Sequence, residues 1–97
     1  MKVVYTERAA DELEALASYL TLRSAQGARN VRSAILRALA NLSTFPRSGR
    51  MQSVAAVRKI AVRQYPYLIY YSVDDHAKAI VVLTIQHAAS ERAYADR

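Results

Sequence analysis

The chain has 97 residues, enough for one domain (residues 1–97) with a single modest core. A hydrophobic content of 53% excludes a disordered chain, and the lack of cysteine excludes disulfides, thiolate nucleophiles and Cys-type zinc sites. The net charge of +6 is concentrated: between Ala15 and Val73 stand nine basic residues and no acidic one, a field that favours an anionic partner, either nucleic acid or an acidic protein segment.

Lys2 to Tyr5 is short and β-prone and reads as a first strand. Thr6 is placed to cap a helix, with Glu7, Asp11 and Glu12 near its positive end. Ala9, Leu13, Leu16 and Leu20 recur on one helical face. Thr21 to Gly27 breaks the pattern. Ala28, Val31, Ile35, Leu39 and Leu42 mark a second helix that ends near Phe45, where Pro46 stops it. The short connector predicts an antiparallel helical hairpin. Arg29 and Arg37 project away from the second apolar stripe, and Arg32 sits at its edge; a solvated face is the simpler reading of all three.

Pro46-Arg47-Ser48-Gly49-Arg50 reads as a turn. From Val57 the period becomes two: Ile60 and Val62 share one face, and Lys59, Ala61 and Arg63 the other. Pro66 predicts a bend or an edge position. Tyr67 to Val73 is the next strand and Asp74-Asp75-His76 a hairpin turn. Ile80 to Gln86 is apolar on both faces and reads as a central strand. Ala88 to Arg97 is a short helix or a loose tail.

The expected fold is α+β and two-layered, β-α-α-β-β-β, with a helical hairpin on one face of a mainly antiparallel four-stranded sheet. No segment remains to cover the other face, which should carry Arg and Tyr side chains. The Ala79–Ile85 stretch is too short to cross a bilayer, and acids follow the first strand directly, so no membrane segment or signal region is expected. The reading is a cytoplasmic protein.

The order of elements, the turn Pro46–Arg50, the strand start Val57-Arg58-Lys59-Ile60, the stretch Tyr67–Val73, the ending Val82–His87 and the opening Tyr5–Leu13 together resemble the RelE/ParE superfamily, the toxins of bacterial type II toxin–antitoxin modules. The resemblance covers nearly the whole chain. It implies one of two activities. RelE-like members cut mRNA in the ribosomal A site. ParE-like members poison DNA gyrase without known catalysis of their own. In the RelE pattern an Arg follows the Tyr of the middle strand, and a second Arg lies just after the last strand. Here Leu68 follows Tyr67, and alanine stands at the expected place in His87-Ala88-Ala89-Ser90. The resemblance therefore favours the ParE-like branch: a gyrase inhibitor that is not itself an enzyme, needs no cofactor or metal, and forms a hetero-oligomer with a cognate acidic antitoxin. In the alternative, a ribosome-dependent mRNA endonuclease, Arg58, Arg63, His87, Arg92 and Tyr94 would form a rearranged catalytic set in which guanidinium groups stabilise charge on the phosphate.

The candidate partner-binding residues are Arg47, Arg50, Arg58, Arg63, Tyr70, His87, Arg92 and Tyr94. Each has a simpler structural reading beside it. Arg47 and Arg50 flank Gly49 in a loop that either grips phosphate or is simply a mobile basic turn. Arg58 and Arg63, five apart on one strand, point to opposite faces, so one of them should line the uncovered sheet. Tyr70 belongs to a cluster with Tyr65, Tyr67 and Tyr71, suited to recognition or to packing. His87 ends the last strand, for partner contact or for a local backbone bond. Arg92 and Tyr94 lie in a tail that the resemblance ties to toxicity and that otherwise reads as a frayed terminus. His76 sits in a turn, far in sequence from His87, and the pair has no metal-ligand spacing.

Overall fold

A computed structural model describes residues 1–90, which order as β1 (Lys2–Tyr5), α1 (Glu7–Arg23), α2 (Ala25–Thr44), β2 (Arg50–Met51), β3 (Arg58–Ala61), β4 (Tyr67–Asp74), β5 (Ala79–His87) and a 3-10 turn (Ala88–Ser90). The strands form one sheet in the order β1-β5-β4-β3-β2. β1 runs parallel to β5, with Lys2 opposite Ala79 and Tyr5 opposite Val82, and all other pairs are antiparallel. The architecture is the expected two-layer α+β one with a fifth strand added. β2 is only two residues long, too short to carry a period, and exists because Arg50 and Met51 pair with Lys59 and Arg58.

Thr6 performs two tasks at the first turn of α1. Its hydroxyl oxygen accepts from the Ala9 N–H at 3.1 Å, capping the helix, and its O–H donates to the Leu83 carbonyl at 2.9 Å, tying that helix end to β5. The expected break over Thr21 to Gly27 shrinks to Ser24. That residue's N–H closes α1 on the Leu20 carbonyl at 2.8 Å, while its side chain caps α2 by accepting from Gly27 N–H at 3.0 Å. Thr21, Leu22 and Arg23 are helical but solvent-facing, so they carry no apolar signal. Phe45 N–H bonds the Asn41 carbonyl at 2.8 Å, and Pro46 ends the helix as expected.

The core lies between the hairpin and the sheet. Val31, Ala34, Ile35, Leu39 and Leu42 of α2 and Ala9 of α1 pack with Ile69, Tyr71, Ile80, Val82 and Ile85. Each fully buried large apolar side chain stabilises such a core by about 1.5–3 kcal/mol. Ala9 is the one fully buried residue of α1. Leu13, Leu16 and Leu20 remain half-buried, so the apolar stripe of α1 is only partly covered by its own chain.

At the far end of β5 the ladder changes partner. β1 stops at Tyr5 opposite Val82, and the Glu12 carboxylate takes over: Oε1 accepts the Ile85 N–H at 3.1 Å and the Thr84 hydroxyl at 2.6 Å. A β-bulge falls here, with Tyr70 opposite Thr84 and Tyr71 opposite Val82, so Leu83 is the extra residue.

Candidate partner-binding surfaces

Register decides which face each β3 residue occupies. Arg58 lies opposite Tyr71 and Ile60 opposite Ile69, so Arg58 faces the helical layer. Lys59, opposite Tyr70, faces away from it. β3 ends at Ala61, so strand alternation does not extend to Arg63, which sits exposed in the β3–β4 turn. Neither arginine lines the far face of the sheet. Lys59 does stand on that face, its Nζ 6.0 Å from the Tyr70 ring centroid, with Arg50 opposite it in register. Nor is that face bare at its centre, because Tyr70 and Thr84 are both fully buried.

Arg58 is a structural clamp. Its Nη1 donates to the carbonyls of Gly49 at 2.9 Å and Arg47 at 3.1 Å. The neighbouring Tyr71 hydroxyl accepts from Gly49 N–H at 2.9 Å and donates to the Pro46 carbonyl at 2.8 Å. Two side chains from paired strand positions thus hold the 46–49 loop from below. Burial pushes the Tyr71 phenol above its ordinary pKa, against the opposing pull of the Gly49 bond, the Arg58 charge and Ser48.

Arg47 projects outward from this loop and bonds Asp75 in the β4–β5 turn at 2.5 Å. The hydrogen bond to Asp75, and then its charge, raise the Arg47 pKa. His87 ends β5 as expected. Its Nδ1 accepts from Ala89 N–H at 3.0 Å, which leaves the proton of the neutral ring on Nε2, and the ring meets Tyr67 edge-on at 5.7 Å. Opposite positions on β4 put Arg58 at Tyr71 and His87 at Tyr67, four residues or about 13 Å apart along the strand. Arg92 and Tyr94 lie outside the described residues.

Two concave surfaces flank α2, and neither was foreseen from the sequence. The first is an apolar groove of about 480 Å³ between α1 and α2. Leu13, Leu16 and Leu20 line one wall and Val31, Ile35 and Leu36 the other, with Tyr5 at one end and Arg29 and Arg32 on the rim. Tyr5 and Leu36 are 41% and 46% exposed, high for side chains of this size beside a core. The second is a polar crevice between α2 and the edge of β3, which contains Arg37, Arg50, Lys59 and Arg63.

Among the described residues there is no group of His and carboxylate side chains able to hold a metal ion. No described helix is long and apolar enough to cross a membrane.

Residues 3–92 match the family described as the ParE toxin of the type II toxin–antitoxin system parDE. The chain belongs to the ParE toxin family. A relative in Sinorhizobium fredii, named "Putative toxin Y4kP", is 26% identical over 87 residues, which cover 90% of this ParE-family chain and 88% of the relative. Solved structures share the fold. The chromosomal ParDE system of P. aeruginosa superposes with a TM-score of 0.73 at 24% identity, covering 90% of this chain and 95% of that one. The toxin of the E. coli RelBE complex gives 0.70 at 22% identity, covering 94% and 98%. Isolated E. coli RelE gives 0.69 at 23%, covering 95% and 86%. The ParE fold is thus shared by toxins of both branches.

Proposed function

We propose that this ParE-family toxin acts by inhibiting DNA gyrase without breaking a covalent bond itself, and that an acidic segment of a cognate antitoxin neutralises it. The observation that carries the antitoxin reading is the groove between the helices. An amphipathic segment lays apolar anchors at helical spacing into such a groove, and acidic flanks suit Arg29 and Arg32 on its rim. The half-buried leucines of α1 are the surface such a segment would complete. An antitoxin tail that orders on binding would cover them at the cost of its own conformational entropy.

The non-catalytic reading draws support from where the arginines stand. Phosphodiester cleavage needs charged groups converging on one phosphate. Arg58 is engaged by two loop carbonyls, and His87 lies about 13 Å away along β4 with its Nδ1 already bonded. Leu68 occupies the place where the RelE pattern has an arginine.

The deciding experiment runs two assays on one preparation: gyrase supercoiling of a relaxed plasmid, and translation-coupled cleavage of an mRNA. Inhibited supercoiling with intact mRNA is the expected result. Cleaved mRNA with normal supercoiling would replace this reading by the endonuclease one. Addition of the antitoxin should restore supercoiling at a 1:1 ratio.

A further inference from the structure

We infer that the outer face of the helical hairpin is a self-recognition surface, on which a second copy of this chain docks end over end across a two-fold axis. The inference concerns the chain alone. It shares the groove with the antitoxin reading but rests on the charge pattern of this face, not on that reading.

The pattern follows from the two helices. On α1, Glu7, Asp11 and Glu14 recur at steps of four and three, so all three share one stripe. Ala17 and Thr21 continue that stripe from Glu14 and line the groove, so the acids stand along its rim in the first half of α1. On α2, Arg29, Arg32 and Leu36 form the matching stripe on the other rim. Ser24 alone joins the helices, which fold back antiparallel, so the first half of α2 stands beside the second half of α1. The face is therefore acidic at the Tyr5 end and basic toward the Ser24 tip, where Arg23 adds a third cation.

These charges have no opposite partner in their own chain. Among the described residues, Glu7, Asp11, Glu14 and Arg32 form no ion pair, and Arg29 bonds only the neutral Gln26 side chain, at 2.7 Å.

Such a face is complementary to itself. A two-fold axis crossing the middle of the hairpin turns each acidic end over the basic end of the other copy, and the same patch serves both partners. The small side chains Ala17, Ala25 and Ala28 let the helices approach, and the exposed Tyr5 and Leu36 are covered. The size also suffices. Helices of 17 and 20 residues are about 26 and 30 Å long, and the two side by side present on the order of 500 Å². Two such faces bury on the order of 1,000 Å² in total, the lower limit for a specific interface. A purely acidic segment matches only the Arg29 end, whereas a second copy matches both.

The test is sedimentation velocity of the purified chain over a concentration series. The unaltered chain should dimerise, with a dissociation constant that rises with salt. Two double variants recast the ends: Asp11→Lys/Glu14→Lys makes both basic, and Arg29→Glu/Arg32→Glu makes both acidic. All four side chains are exposed, and unchanged melting curves confirm that the variants fold; Glu14→Lys and Arg32→Glu are the milder pair should either melt early. Each variant alone should sediment as a monomer where the unaltered chain is a dimer, and an equimolar mixture of the two should restore the dimer. A merely structural effect of the substitutions would not give that rescue. An unaltered chain that stays monomeric at about 100 μM, well above the micromolar range of weak specific interfaces, overturns the proposal. So does a dimer that both variants keep, or a mixture that stays monomeric. Antitoxin affinity is measured on the unaltered chain below the concentration at which it dimerises, so failure here leaves the neutralisation reading standing, and failure of that reading leaves the dimer.

Discussion

The phenolic oxygen of Tyr71 lies 2.9 Å from the Gly49 nitrogen, and a Cβ on residue 49 would stand 2.5 Å from that same oxygen. The glycine is required by close approach, not by its backbone angles, because no glycine here has positive φ. A methyl group at 49 would press on the ring carbons as well, at 2.7 and 2.9 Å. Gly49→Ala should therefore destabilise the fold by about 1–3 kcal/mol through overpacking. Tyr71→Phe should cost about 1–3 kcal/mol by leaving the Gly49 N–H and the Pro46 carbonyl unpaired. Urea denaturation of the two single variants and the double variant measures both, and the two effects should be non-additive, since the residues touch.

Alkaline pH probes the same contact. Burial raises the Tyr71 pKa above the value near 10 of the unfolded chain. The folded state keeps a proton that the unfolded state has lost, so stability falls with rising pH in this window. The Tyr71 contribution is fully present below about pH 10 and is lost as pH rises through the raised folded value. Denaturation curves of the unaltered chain and of Tyr71→Phe should converge above about pH 10; a gap that widens there would refute the assignment.

Arg58 should behave as a loop clamp. Arg58→Ala removes bonds to the Arg47 and Gly49 carbonyls and should cost about 1–3 kcal/mol. Hydrogen exchange at Gly49 should accelerate in this variant, while amides in the centre of α2 stay protected. A variant with unchanged loop exchange but no growth arrest would instead make Arg58 a partner contact.

Glu12 closes the end of β5 with a carboxylate. Glu12→Ala leaves the Ile85 N–H and the Thr84 hydroxyl without their acceptor, and a loss of about 1–3 kcal/mol is expected. Arg8→Ala should cost far less, because its 3.6 Å pair with Glu12 is an exposed contact within one helix. Thermal melts of the two variants rank these effects directly.

Leu36 separates binding from folding. It is 46% exposed in the groove, so Leu36→Glu should change stability by no more than about 0.5 kcal/mol. Antitoxin affinity, measured by calorimetry, should weaken by more than about tenfold if the side chain is an anchor. Equal affinity for both forms would move the antitoxin elsewhere.

The regular elements were legible because each carries a strong period: 3.6 residues in Ala9–Leu20 and Val31–Leu42, two in Arg58–Ala61. Thr6 as a cap, Pro46 as a stop and β5 as an inner strand also follow from local chemistry. What failed needed partners far away in sequence. β2 has no pattern of its own and is defined by β3. The facing of Arg58 depends on its register with Tyr71, and strand alternation does not reach Arg63 because β3 ends at Ala61. The two grooves arise from how α1, α2 and the β3 edge stand relative to one another, which no single segment records. Leu36, an apolar residue off the stripe beside Ile35, was the one available hint of the first groove.

The pairing of β1 with β5 sets an order for biosynthesis. Lys2 is made well before its sheet neighbour Ala79, with both helices and three strands between them in the chain. The helical hairpin, stitched by contacts between near neighbours in sequence, can assemble early, while the opening strand has to wait for the closing one. A nascent copy therefore holds an unfinished sheet until β5 has been made, so the first strand stays unpaired while the other four are being synthesised.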